Sequence, residues 1–216
     1  MPEAVIFDWD GVIVDSLGVT HDWLNYCCEQ FGKDYPFSDP EGLRRNFREP
    51  FTELYESFGF NWEEDKGKII ELFHDYMRQQ DVPLKGGIKN VLEELHTSRH
   101  ILGIVSSNRE EVISEKLEQY GLKKYFTSVV THSQVGEHLK PDPKMIKVCV
   151  ERMARTPEDA VYVGDQPTDI QAAHRAGVKS VGVTWGFRPR KDLEAENPDY
   201  IVTKPREIVE AIKSEL

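Results

Sequence analysis

The chain has 216 residues and is acidic, with 38 Asp and Glu against 27 Lys and Arg and a formal net charge of −11. That balance excludes the basic surface that general nucleic-acid binding needs, while 39% apolar and 10% aromatic residues exclude global disorder. Three cysteines, two of them adjacent (Cys27, Cys28), give no disulfide framework and no CxxC zinc pattern.

The chain enters directly through Met1-Pro2-Glu3, without a basic-then-apolar leader, and no apolar run reaches the length of a membrane span. A reduced, soluble, cytoplasmic protein is expected, monomeric or homodimeric. Val5-Ile6-Phe7 is an apolar run of strand type that ends in Asp8-Trp9-Asp10-Gly11. Helical spacing follows over residues 17–31, through Trp23, Leu24, Tyr26, Cys27 and Phe31, with Gly32 as its stop. Two more polar-rich helical stretches cover residues 40–58 and 63–80. Nothing over residues 17–81 alternates as a strand does, so that segment reads as an all-helical insertion. Residues 1–16 and 82–216 read as the core.

From Leu84 the rhythm is helix and strand in turn. Residues 87–95 form an amphipathic helix, with Ile88, Val91, Leu92 and Leu95 on one face. Residues 101–105 are a short strand of the kind buried on both faces. Helix is expected over 109–120, 143–155, 168–176 and 205–213, and strand over 125–130, 160–163, 180–183 and 200–202. Strands alternating with helices predict an α/β fold, a doubly wound parallel-sheet (Rossmann-like) core with an inserted all-helical domain.

In a parallel sheet all strand ends of one sense share a rim, where open α/β folds bind their ligands. The first strand delivers Asp8 and Asp10, the second Ser106-Ser107-Asn108, and the fourth Gly164-Asp165 with Asp169 beyond it. Lys140-Pro141 follows the third, and the proline leaves a trans or a cis peptide open. Each motif alone is weak, since Asp is a common turn-former and Ser a common helix cap. Asp-x-Asp-Gly and Gly-Asp-x-x-x-Asp together, in order and each after an apolar strand, arise by chance well below ~0.1% of the time. The chemistry suits phosphoryl transfer. Asp8 attacks phosphorus as a nucleophile, and Asp10 protonates the leaving oxygen and then deprotonates water. Mg²⁺ is the expected cofactor, on the side chains of Asp8 and Asp165 and the backbone carbonyl of Asp10. The Ser106 hydroxyl and Ser107 N–H hold phosphate oxygens, and Lys140 adds a compact positive charge.

These four motifs resemble those of the haloacid-dehalogenase-like phosphatases, through Asp8-Trp9-Asp10-Gly11, Val105-Ser106-Ser107-Asn108, Lys140-Pro141 and Gly164-Asp165 to Asp169. The resemblance implies the same roles for Asp8, Asp10, Ser106 and Lys140, and Mg²⁺ at Asp8, Asp10 and Asp165 with Asp169 supporting it from behind. It implies that residues 17–81 are a cap of the C1 type closing over the site. Gly11, Ser107 and Asn108 make up the expected substrate-binding set with Arg45, one of a cap cluster with Arg44 and Arg48. Residues 161–165 and 183–187 look most like phosphoglycolate phosphatases, so a small phosphorylated metabolite is the expected partner. True dehalogenases lack the second acid, and Asp10 is present. Val12 after Gly11 resembles β-phosphoglucomutase relatives, yet Thr20 stands where those mutases tend to carry a histidine, with His21 one residue late. A sugar phosphomutase and a catalytically silent binding module stand as the alternatives.

Overall fold

Every residue of β1 (Ala4–Phe7) is buried in the computed structural model of the chain. The structure describes residues 2–48, 50–136 and 138–214, the side chains of His74 and Arg78 excepted. A strand covered on both faces has no polar side to alternate with, which is why β1 reads as an unbroken apolar run. The chain divides into two compact units, Met1–Val14 with Leu84–Leu216, and Asp15–Pro83.

The Asp15–Pro83 unit is helical: α1 (Leu17–Gln30), α2 (Pro40–Asn46), α3 (Phe51–Ser57) and α4 (Trp62–Arg78). Helix α1 stops before Gly32, whose φ of 62° lies in the left-handed region that glycine enters without strain. The stretch expected as one helix over 40–58 is two. Phe47 turns to an extended ψ of 135°, and Pro50, which has no N–H to donate, becomes the N-cap of α3. The unit's core is aromatic. Trp23 donates Nε1–H to the Tyr55 hydroxyl at 2.8 Å, and its ring meets those of Phe73 and Tyr76 at 5.2 and 5.5 Å.

The other unit holds one parallel sheet. β2 (Ile101–Ser106), β3 (Phe126–Thr131), β4 (Ala160–Gly164), β5 (Lys179–Val183) and β6 (Tyr200–Val202) join β1 in the order β3-β2-β1-β4-β5-β6. Its helices are α5 (Ile88–Thr97), α6 (Glu110–Gln119), α7 (Lys144–Arg152), α8 (Pro167–Ala176), α9 (Arg190–Glu194) and α10 (Arg206–Lys213). This is the doubly wound α/β core that the sequence predicts. The short α9 escapes the periodicity because five residues are too few to show one. On either side of β1 the strand order runs in opposite directions, the place where folds of this kind bind ligands.

Candidate active site

Strand register brings the acids together. Phe7 pairs with Ile104 of β2 and with Val163 of β4, and Asp8 donates its backbone N–H to the Val163 carbonyl at 2.9 Å. Asp8 therefore sits one step beyond β1, between the ends of β2 and β4, which carry Ser106 and Asp165. Asp8, Ser106, Asp165 and Asp169 are all buried.

Lys140 ties the cluster. It stands between β3 and α7 in the chain, and its peptide bond to Pro141 is cis. Its ammonium donates to Asp8 Oδ1 at 2.7 Å, to Asp169 Oδ1 at 2.6 Å and to the Tyr162 hydroxyl at 3.2 Å. An ammonium has three N–H bonds, and here each has an acceptor. Tyr162 in turn bonds Asp169 Oδ1 at 3.2 Å and the Val105 carbonyl at 3.4 Å.

Asp169 is occupied on both oxygens. Oδ2 accepts the backbone N–H groups of Asp165 and Gln166, each at 3.0 Å, the second closing a capping box at the start of α8. Asp165 is different. Its Oδ2 accepts the Phe187 N–H at 2.5 Å, whereas Oδ1 is buried without a hydrogen-bond partner among the described residues. Three glycines wall these carboxylates. A methyl group on Gly11 or Gly186 would strike the Asp165 side chain, and one on Gly164 would strike Asp169. Gly11 also needs its φ of 75°, and it donates its N–H to the Val14 carbonyl at 3.0 Å.

The electrostatics show too much negative charge for one lysine. Burial pushes Asp8 up from 3.8 to about 7; Lys140 opposes the rise, while Asp169 and Asp10 add to it. Burial, then the charges of Asp169 and Asp8, raise Asp165 well above the usual carboxylate range. Burial alone would lower Lys140, but Asp169 and Asp8 hold its ammonium well above the ordinary lysine value. One carboxylate oxygen each of Asp8, Asp165 and Asp169 lies within 4.8 Å of the others. An unpartnered buried oxygen in such a group of hard donors fits a metal ion, which replaces the missing hydrogen bond and neutralises the excess charge. The cluster is able to coordinate one.

The remaining candidates are placed as follows. Asp10 lies apart from that cluster, half-buried, and its Oδ2 accepts from Asn108 Nδ2 at 3.2 Å. Ser106 Oγ accepts the Asn108 N–H at 3.0 Å, and Ser107 is exposed at the end of β2. Arg45 belongs to the helical unit, exposed on α2, where its neighbour Arg44 pairs with Glu41 at 3.5 Å. Sequence reasoning placed Tyr162, Gly164, Gly186 and Phe187 inside quoted motifs but assigned none of them a role. A tyrosine in a strand reads as packing, and the end of β5 offers a backbone N–H rather than a side chain. The signal available was positional: β5 ends on the same rim as β1, β2 and β4.

Comparison with known proteins agrees with this geometry. The family model described as haloacid dehalogenase-like hydrolase matches residues 5–183. A phosphoglycolate phosphatase of Vibrio parahaemolyticus is 31% identical, the match covering 97% of this chain and 96% of that one. The pyrophosphatase PpaX of Bacillus velezensis is 28% identical over 95% of this chain and 94% of its own length. A crystal structure described as a predicted phosphatase from Clostridium acetobutylicum superposes with a TM-score of 0.83 at 25% identity, covering 98% of each chain. The chain belongs to the haloacid dehalogenase-like hydrolases, as an enzyme of phosphatase type.

Proposed function

We propose that this enzyme hydrolyses small phosphate monoesters by way of a phosphoryl group carried on Asp8. The observation that carries the reading is the buried set of Asp8, Lys140, Asp169 and Asp165, with one Asp165 oxygen unpartnered. Asp8 attacks phosphorus, and a carboxylate–phosphorus bond forms as the ester P–O bond breaks. Asp10 gives a proton to the departing oxygen and later removes one from the water that attacks the phosphoryl group, as the Asp8 O–P bond breaks and inorganic phosphate leaves. Ser106, the Ser107 N–H and Lys140 hold the phosphate oxygens and the charge that builds on them. Mg²⁺, held by the side chains of Asp8 and Asp165 and the Asp10 carbonyl, would supply positive charge to an anionic substrate and an anionic nucleophile. Asp169 keeps Lys140 and the Asp165 loop in place.

In this reading the helical residues 17–81 are the cap domain that the family resemblance implies. The names of the relatives support two substrates, phosphoglycolate and pyrophosphate. Phosphoglycolate is preferred because the relative named for it is 31% identical, against 28% for the pyrophosphatase. The test is a screen of phosphoglycolate, sugar phosphates and pyrophosphate, with and without Mg²⁺, on the wild type and on Asp8→Asn. Mg²⁺-dependent phosphate release, highest on phosphoglycolate and abolished in Asp8→Asn, is expected. Ordinary turnover by Asp8→Asn overturns the nucleophile. Sugar-phosphate isomerisation with little free phosphate replaces hydrolysis by a mutase reaction, and preference for pyrophosphate replaces the substrate.

A further inference from the structure

Asn108 lies two residues past the end of β2, half-buried, just before α6. Its backbone is held on both sides: the N–H donates to Ser106 Oγ at 3.0 Å, and the carbonyl accepts from His132 Nδ1 at 3.1 Å. Its side-chain oxygen accepts the Arg109 N–H at 2.8 Å, which fixes the sense of the amide. The amide nitrogen is thereby left to face Asp10, and it donates to Oδ2 at 3.2 Å. Reversing the amide would set its oxygen against a carboxylate and its nitrogen against an N–H, so one orientation wins.

We infer that Asn108 is a positioning residue that aims the Asp10 carboxyl group at the leaving oxygen, rather than a ligand of the substrate. The inference rests on the proposed role of Asp10 as acid and base. Asp10 lies beyond β1 with its backbone bridged to Val14, and the Asn108 amide donates to one oxygen of its carboxyl group, which fixes the plane of that group. A charge-assisted hydrogen bond from a neutral amide does this without adding a cation that would compete for the phosphate. Placement matters because proton transfer in the transition state depends on the two oxygens meeting within hydrogen-bond reach.

The leaving group makes the inference testable. An alkoxide must be protonated as the P–O bond breaks, whereas p-nitrophenolate departs without a proton. The readout is kcat/KM with Mg²⁺ for glycerol phosphate and for p-nitrophenyl phosphate, in the wild type, Asn108→Ala, Asn108→Asp and Asp10→Asn. Asn108→Ala is expected to lose about 10- to 100-fold on the alkyl ester and less than about 3-fold on the nitrophenyl ester. Asn108→Asp keeps the acceptor for the Arg109 N–H but sets carboxylate against carboxylate, so it shows the same bias at least as strongly. Asp10→Asn shows it most strongly of all. An equal loss on both esters in Asn108→Ala, or a rise in KM alone, overturns the inference in favour of a phosphate contact or a fold defect. Bias in Asp10→Asn but not in the Asn108 variants overturns it while leaving the role of Asp10 intact. Absence of bias in Asp10→Asn removes the role on which it rests. Should Asn108→Ala fail to fold, by circular dichroism and thermal melting, Asn108→Ser carries the same comparison.

Discussion

Asp8 is asked to hold a negative charge where burial and two further carboxylates oppose it, and the rise of its pKa from 3.8 to about 7 measures the conflict. A folded-state value above the unfolded one means that ionising Asp8 destabilises the metal-free fold. The stabilisation is present in full below about pH 4 and is lost as the pH rises towards 7. A divalent cation reverses the preference by favouring the ionised form, and protons compete with it at low pH. Mg²⁺ should therefore raise the melting temperature more at pH 8 than at pH 6, with most of that difference abolished in Asp8→Asn. Differential scanning fluorimetry checks this, and a larger Mg²⁺ effect at pH 6 would contradict it. At this scale the sequence marks Asp8 and Asp165 because each stands just beyond a strand, Asp169 because it opens a helix, and Lys140 because a proline follows it. It hides Phe187, which contributes a backbone N–H, and Tyr162, whose hydroxyl matters only once Lys140 is beside it. No residue alphabet records such a partner.

Among the elements, the strands are the easiest to read, since burial on both faces makes them continuous apolar runs. The helices of the 15–83 unit are harder after α1: α2 and α3 have seven residues each, about two turns, too few to carry a clean period. The break between α2 and α3 was legible only through Pro50. That unit hangs on Trp23, which is 2% exposed and bonded to the buried Tyr55 hydroxyl. Trp23→Phe removes the donor, leaves that hydroxyl without it and opens a void. A loss of about 2–4 kcal/mol is expected. Urea unfolding followed by the fluorescence of the remaining tryptophans measures it, and a change below about 0.5 kcal/mol would show that the ring alone matters.

Across the whole molecule, no helix among the described residues is long and apolar enough to cross a membrane. The thiols of Cys27, Cys28 and Cys149 are free and buried in both units. Burial pushes Cys27 and Cys149 up to about 12 and Cys28 to about 11, so almost no thiolate exists at pH 8. Ellman's reagent should find all three unreactive in the native protein and all three reactive after denaturation; a fast native phase would mean that one unit opens readily. The way the chain passes between the units has a longer reach. Val14 and Leu84 form an antiparallel bridge, Lys85 donates its N–H to the Ile13 carbonyl at 2.9 Å, and Asp15 donates to the Pro83 carbonyl at 2.8 Å. The segment that departs and the segment that returns are thus already bridged to each other. Seen from the sheet, everything between them is the tip of a hairpin. Closure entropy rises only slowly with length, about 0.6 kcal/mol per doubling. Descent is therefore free to lengthen, shorten or exchange that tip while the doorway, and the acids behind it, stay as they are.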